Sequence, residues 1–187
     1  MWPSWSPDGK QIVFSRVREQ PEGYDVFMMN ADGSRLKSVA SSPGGYRQYP
    51  AWAPKGKILF LRNSDVFAVS PDGSGLARLT KLGSIGEFAL SPDGKKLAIQ
   101  DIYAHRVAVI SAHGGGTLAI LIDPLPEFIP DDPYAAPAWA PDGKALAVAS
   151  GDYTGEGSRL YIVNADGTGL SAVPGIESAV DPAWRPK

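Results

Sequence analysis

An all-β fold, a β-propeller of four-stranded antiparallel blades with four blades in this chain, follows from three observations. A five-residue signature recurs at a period in the forties, a second turn motif lies between its copies, and the stretches between turns are apolar runs of strand length. The signature reads Trp5-Ser6-Pro7-Asp8-Gly9, Trp52-Ala53-Pro54-Lys55-Gly56, Leu90-Ser91-Pro92-Asp93-Gly94 and Trp139-Ala140-Pro141-Asp142-Gly143, with a truncated copy at Trp184-Arg185-Pro186-Lys187. Its prolines lie 47, 38, 49 and 45 residues apart.

Taken in order, the first strand of each unit carries the signature tryptophan and ends at the Asp-Gly turn. Gly accepts positive φ there, and Asp bonds nearby backbone amides. The second strand is Gln11-Ile12-Val13-Phe14, Ile58-Leu59-Phe60-Leu61, Lys96-Leu97-Ala98-Ile99 or Ala145-Leu146-Ala147-Val148. The third opens on Asp25-Val26-Phe27, Asp65-Val66-Phe67, Arg106-Val107-Ala108 or Arg159-Leu160-Tyr161. The second turn follows as Asn30-Ala31-Asp32-Gly33-Ser34, Ser70-Pro71-Asp72-Gly73-Ser74 and Asn164-Ala165-Asp166-Gly167-Thr168, degenerating to Ser111-Ala112-His113-Gly114-Gly115 in the third unit. Leu36, Leu76, Leu118 and Leu170 each fall three residues after the second-turn glycine and set the register of a more polar fourth strand.

Near-continuous apolar second and third strands are buried on both faces, which stacked sheets achieve. The expected core is Ile12, Phe14, Phe27, Phe60, Phe67, Leu97, Ile99, Leu146, Val148, Tyr161 and Val163. The repeated tryptophans read as core too, since their fixed strand position fits packing better than sugar stacking. The whole chain, 1–187, forms a single propeller segment, with blades at about 2–48, 49–86, 87–135 and 136–187.

Composition narrows the function. A net charge of −2 argues against a nucleic-acid groove, which needs a Lys/Arg surplus. No apolar run reaches the length of a membrane span, so no membrane insertion is expected. The absence of cysteine excludes disulfides and thiolate metal sites. No Gly-x-Ser-x-Gly elbow, phosphate loop or dinucleotide fingerprint occurs, so neither catalytic residues nor a cofactor is expected. The Asn-Ala-Asp-Gly-Ser turns lack the Glu that completes a calcium loop, and His105 and His113 have no metal-binding spacing, so no metal is expected either.

The Pro-x-Trp-Ser-Pro-Asp-Gly-Lys start and the Asn-Ala-Asp-Gly-Ser turn resemble the repeats of TolB-like propellers, and the resemblance covers residues 2–187. Related repeats occur in the propeller domains of prolyl-oligopeptidase-type peptidases and tricorn-like proteins. The departures are local: Leu90 for tryptophan, Lys55 for the turn aspartate, and the lost second turn of the third unit. The resemblance implies a bacterial, extracytoplasmic propeller that scaffolds protein contacts or gates a neighbouring catalytic domain. Fold alone does not decide between these.

Two sets of loops remain to carry function. The turns joining first to second and third to fourth strands are short and uniform; the other set varies in length and composition, as binding loops on a rigid scaffold do. Candidate partner-binding residues on the variable set are Arg16, Arg18, Tyr24, Tyr46, Arg47, Tyr49, Tyr103, Phe128, Asp131, Asp132, Tyr134 and Tyr153, because aromatics and arginines dominate interface hot spots. Tolerated loop variation is the competing explanation. This end is basic around the first unit and acidic around the third and fourth, through Asp101, Asp152, Glu156, Glu177 and Asp181. The function expected is a non-catalytic module for a protein or peptide partner. The alternatives are the propeller part of a larger peptidase-type enzyme, or a structural half-propeller that self-assembles. A homodimer is expected, in which a second chain completes an eight-bladed ring and the closing Trp184 copy supplies a strand to its neighbour's first blade.

Overall fold

The computed structural model describes residues 3–19, 22–41, 46–113, 117–122, 134–151, 159–177, 179 and 181–184. Every regular element among them is a strand, and the strands form four antiparallel four-stranded sheets, each in simple meander order. Two compact units result, Met1–Gly83 and Ser84–Lys187.

The first unit holds two blades. Blade 1 is β1 (Ser4–Trp5), β2 (Gln11–Arg18), β3 (Gly23–Asn30) and β4 (Lys37–Ala40); blade 2 is β5 (Arg47–Trp52), β6 (Ile58–Arg62), β7 (Asp65–Val69) and β8 (Ala77–Arg78). The second unit repeats the plan. Blade 3 is β9 (Ile85–Leu90), β10 (Lys96–Asp101), β11 (Arg106–Ser111) and β12 (Thr117–Ile122); blade 4 is β13 (Tyr134–Trp139), β14 (Ala145–Gly151), β15 (Arg159–Asn164) and β16 (Ser171–Glu177).

The turns explain the regularity. In blade 1 the Gly9 amide donates to the Ser6 carbonyl at 2.9 Å, and the Asp8 carboxylate accepts from Ser6 Oγ at 2.7 Å and the Lys10 amide at 3.1 Å. Blade 3 repeats this set at Ser91, Asp93 and Lys95. Lys55 removes the carboxylate in blade 2, yet the turn persists: the Gly56 amide still reaches the Ala53 carbonyl at 2.9 Å, and φ of +79° at Gly56 is a conformation that glycine adopts freely. The second-turn aspartates are spent likewise: Asp32 accepts from the Ser34 amide, and Asp72 and Asp166 accept from the amide and hydroxyl of Ser74 and Thr168.

Each unit has its own core. In the first, Val13, Val26 and Met28 of blade 1 pack with Ile58, Phe60 and Val69 of blade 2. In the second, Ala98, Val107 and Val109 of blade 3 pack with Leu146, Val148, Tyr161 and Val163 of blade 4. Seven of the eleven expected core residues are buried: Phe60, Leu97, Ile99, Leu146, Val148, Tyr161 and Val163. Ile12, Phe14, Phe27 and Phe67 are only half-buried. The reason for Ile12, Phe14 and Phe27 is the two-residue period of a strand. It turns Val13 and Met28 toward blade 2 and leaves these three on the opposite face of blade 1, which no other sheet of that unit covers.

The tryptophans correct the sequence reading in the same way. Trp139 is 8% exposed and donates its indole N–H to the Ala89 carbonyl of blade 3 at 3.0 Å. Trp184 repeats the contact on the Ala138 carbonyl of blade 4 at 2.9 Å, so residues 181–184 lie where a following blade would place its first strand. Each ring therefore leans on the blade before it. Trp5, the equivalent ring of blade 1, is 57% exposed, so the expected core position does not hold for it.

Candidate functional site

Charged side chains gather where the second strand of blade 1 hands over to the third. The cross-strand register opposes Phe14 to Phe27 and Arg16 to Asp25. Asp25 ignores Arg16. It is buried and accepts from Arg18 Nη1 at 2.8 Å and Arg47 Nη1 at 3.3 Å, with the Ser41 hydroxyl at 3.4 Å on its other oxygen. Arg16 lies instead over the Phe27 ring, 5.5 Å from its centroid, a cation–π contact that preorganises the guanidinium.

Blade 2 has the same rung. Phe60 faces Phe67 and Arg62 faces Asp65 in the register; Arg62 sits over Phe67 at 5.6 Å, while Asp65 takes Arg78, Thr80 and the Leu82 amide. Burial works against ionisation of Asp65, but those hydrogen bonds outweigh it and hold its carboxyl below the usual range.

Arg47 is 2% exposed, and its backbone carbonyl accepts the Ser15 hydroxyl at 2.8 Å. Burial lowers its pKa, the charge of Arg62 adds to this, Asp25 opposes it and Arg18 contributes again. It stays charged, because guanidinium titrates far above neutrality. Tyr24 and Tyr46 flank the cluster with ring centroids 5.6 Å apart, and a cleft of about 450 Å³ opens among Arg16, Val17, Arg18, Glu19, Asp25 and Phe27.

Five of the sequence candidates, Arg16, Arg18, Tyr24, Tyr46 and Arg47, thus share this one place, with Arg47 as an inner support and not a contact residue. Tyr49 is half-buried in β5, at a break in register with φ of +52°. Tyr103 is 76% exposed in the four-residue turn between β10 and β11 of the second unit, where Asp101 accepts from the Ala104 amide and Arg106. Tyr134 opens β13, and only its backbone position is described. Phe128, Asp131, Asp132 and Tyr153 lie outside the described residues. Sequence reasoning missed Asp25 as the pivot and Arg62 as the twin of Arg16; aligning the two Phe-x-Arg strands, Phe14–Arg16 and Phe60–Arg62, would have shown Arg62, whereas the role of Asp25 depends on Arg47 reaching it from blade 2.

The second unit carries a different titratable group. Glu87 of β9 is half-buried, and burial together with the nearby negative charge of Asp181 pushes its pKa from 4.5 up to about 8. Among the described residues, no group of three or more His, Cys, Asp or Glu side chains is placed to hold a metal ion. Among the described residues, no helix is long and apolar enough to cross a membrane.

The family description TolB beta propeller domain matches residues 1–187. The chain belongs to that family. TolB from Acinetobacter baumannii superposes with a TM-score of 0.77 at 24% identity, covering 100% of this chain and 46% of TolB. Puromycin hydrolase gives a TM-score of 0.66 at 15% identity, covering 95% of this chain and 29% of the hydrolase. An uncharacterized protein of Agrobacterium fabrum is 27% identical over 163 residues, 78% of this chain and 53% of that protein. The chain thus spans about half the length of TolB and of the Agrobacterium relative. At these identities the two solved structures speak for the propeller fold alone. Within each blade of this TolB-family chain the turn after the first strand keeps one hydrogen-bonding plan, whereas the rung before the loop between the second and third strands differs in charge from blade to blade.

Proposed function

We propose that this TolB-family propeller is a non-catalytic module that binds a protein or peptide partner through its variable-loop end. The observation behind this reading is the contrast between the two ends. Each aspartate of the short turns is consumed by its own turn, whereas the variable end of the first unit displays Arg16, Tyr24 and Tyr46, residue types that dominate hot spots. Tyr103 is the matching candidate on the second unit, and the candidates Phe128, Asp131, Asp132, Tyr134 and Tyr153 extend the same set by sequence. A photo-crosslinking residue introduced at Tyr24, Tyr46 or Tyr103 should give discrete adducts in cells, and one at Asp8, Asp93 or Asp142 should give none. Adducts confined to the aspartate positions would reverse the assignment.

Self-association belongs to the same proposal. Trp5 and the half-covered Phe14–Phe27 face are apolar surface that a second copy would cover. Because β1 already pairs with β2, a second copy would add blades or displace this two-residue strand. Sedimentation of a monomer at micromolar concentration would discard the dimer. The rival reading, the propeller portion of a larger peptidase-type enzyme, draws on the likeness to puromycin hydrolase. Flanking sequence with a nucleophile elbow would decide for it.

A further inference from the structure

Arg16 and Arg62 share an unusual situation. Each stands opposite an aspartate in the strand register, each of those aspartates is engaged elsewhere, and each guanidinium lies on a phenyl ring. Neither has a carboxylate partner among the described residues. Held on a ring face, such a guanidinium keeps its planar fork of donors for a further acceptor, with little rotamer entropy left to lose.

At Arg16 a cleft of about 450 Å³ adjoins the fork, ample for one side chain. Behind it, Arg18 and the buried Arg47 outnumber Asp25, and Arg62 adds positive charge next to Arg47. We infer that this cleft of blade 1 receives one carboxylate of an acidic peptide segment, paired bidentately with Arg16.

Three observations choose this ligand. Against Arg16, Arg18 and the buried Arg47 stand Asp25 and Glu19, so the cleft carries a surplus of about one positive charge, which one carboxylate neutralises and a doubly charged phosphate overshoots. The exposed Val17 and Tyr46 at its margin offer apolar surface to residues flanking the acid, which a free anion could not use. The site also survives a neighbouring blade. Arg62 keeps an intermediate exposure although blade 1 packs on that sheet, so covering the Phe14–Phe27 face leaves the matching rung open.

The inference rests on the partner-binding reading above and adds the chemistry of one contact. Fluorescence anisotropy of a labelled, end-capped hexaglutamate titrated with the whole chain tests it, with hexaglutamine as control. Binding to hexaglutamate alone is expected, falling about tenfold or more in Arg16→Gln, the loss of one charge-assisted pair of hydrogen bonds. It should weaken on raising salt from about 0.05 to about 0.3 M. Lys10→Gln, on the opposite turn end, should bind as the parent does. Thermal melting of Arg16→Gln checks that this exposed position leaves the fold intact.

Several results would overturn the site: no binding at millimolar protein, equal binding of hexaglutamine, an unchanged Arg16→Gln, or an equal loss in Lys10→Gln. Displacement by inorganic phosphate at lower concentration than by acetate would replace the carboxylate with a phosphate. If hexaglutamate fails while Tyr24 and Tyr103 still crosslink, only this inference falls and the partner-binding reading stands.

Discussion

The two units share one backbone plan and differ at two matching rungs of every blade. In the first unit the central rung of β2–β3 and of β6–β7 is a stacked Phe pair, Phe14–Phe27 at 6.3 Å and Phe60–Phe67 at 6.0 Å. In the second the same rung reads Ile99–Ala108 and Val148–Tyr161. Two residues further on, the first unit has Arg16–Asp25 and Arg62–Asp65, whereas blade 3 has the charges exchanged as Asp101–Arg106 and blade 4 has Ser150–Arg159. The difference teaches that turns and strand lengths hold the repeat while the rung nearest the variable loops is free to change sign. A surface potential can be rewritten there without touching the core.

The largest test of that comparison removes the inner cation of each unit. Arg47→Met leaves buried Asp25 with Arg18 alone and is expected to cost about 3–5 kcal/mol, the usual result of breaking a buried pair. Arg106→Met breaks a looser pair, 3.4 Å long with side chains 27% and 10% exposed, and should cost about 1 kcal/mol or less. Urea denaturation measures both. Equal losses would mean that the two ion pairs are equivalent despite their different burial.

The central rung offers the next contrast. Phe60 and Val148 occupy the same place in their blades, and both are 0% exposed. Phe60→Ala should cost about 3–5 kcal/mol, whereas Val148→Ala removes only two methyl groups and should cost about 2 kcal/mol. Similar denaturation midpoints for the two variants would show that the aromatic rung carries no extra packing energy.

Much of this fold was legible because its causes are local. Asp-Gly turns, β-branched runs and a fixed repeat are written within a few residues, so four blades and their strand order could be read from the chain. Burial is not local. Phe14 and Phe60 look alike in sequence, yet within the first unit only Phe60 has a sheet packed over it, and Trp139 is buried with its indole on the Ala89 carbonyl while Trp5 is exposed. The site was legible in part for the same reason. Arg16, Arg18, Tyr24, Tyr46 and Arg47 announce themselves as loop-end cations and aromatics, but their gathering around Asp25 depends on contact between two blades.

A pH contrast follows from Glu87. Its folded pKa, about 8, lies above the ordinary 4.5, so between these values the folded state binds the proton more tightly than the unfolded state. Stability should therefore fall as pH rises from about 4.5 to about 8 and level off above, by a few kcal/mol at most. Glu87→Gln should flatten that slope. Asp65 in the first unit behaves oppositely: its lowered pKa contributes stability at neutral pH that is lost as pH drops through and below 3.8. Thermal midpoints from pH 3 to pH 9 for the parent, Glu87→Gln and Asp65→Asn would separate the two limbs. A parent curve that is flat from pH 5 to pH 8 would refute the assignment to Glu87.

The smallest effect concerns the tryptophans that tie blade to blade. Trp139 spends its indole N–H on the Ala89 carbonyl, while the equivalent Nε1 of Trp52 is buried without a hydrogen-bond partner. Both rings occupy the last position of a first strand, but Trp139 is buried and Trp52 half-buried, so the packing lost on replacement by Phe is the larger at Trp139. The polar terms differ in sign. Trp139→Phe leaves the Ala89 carbonyl one donor short, whereas Trp52→Phe removes a buried donor that had nothing to bind. Trp52→Phe should therefore be the milder change by about 1–3 kcal/mol, measured as the difference between two urea midpoints at constant m. If Trp52→Phe proved the costlier of the two, its indole N–H must be bonded in solution, and the first unit would tie its blades as the second does.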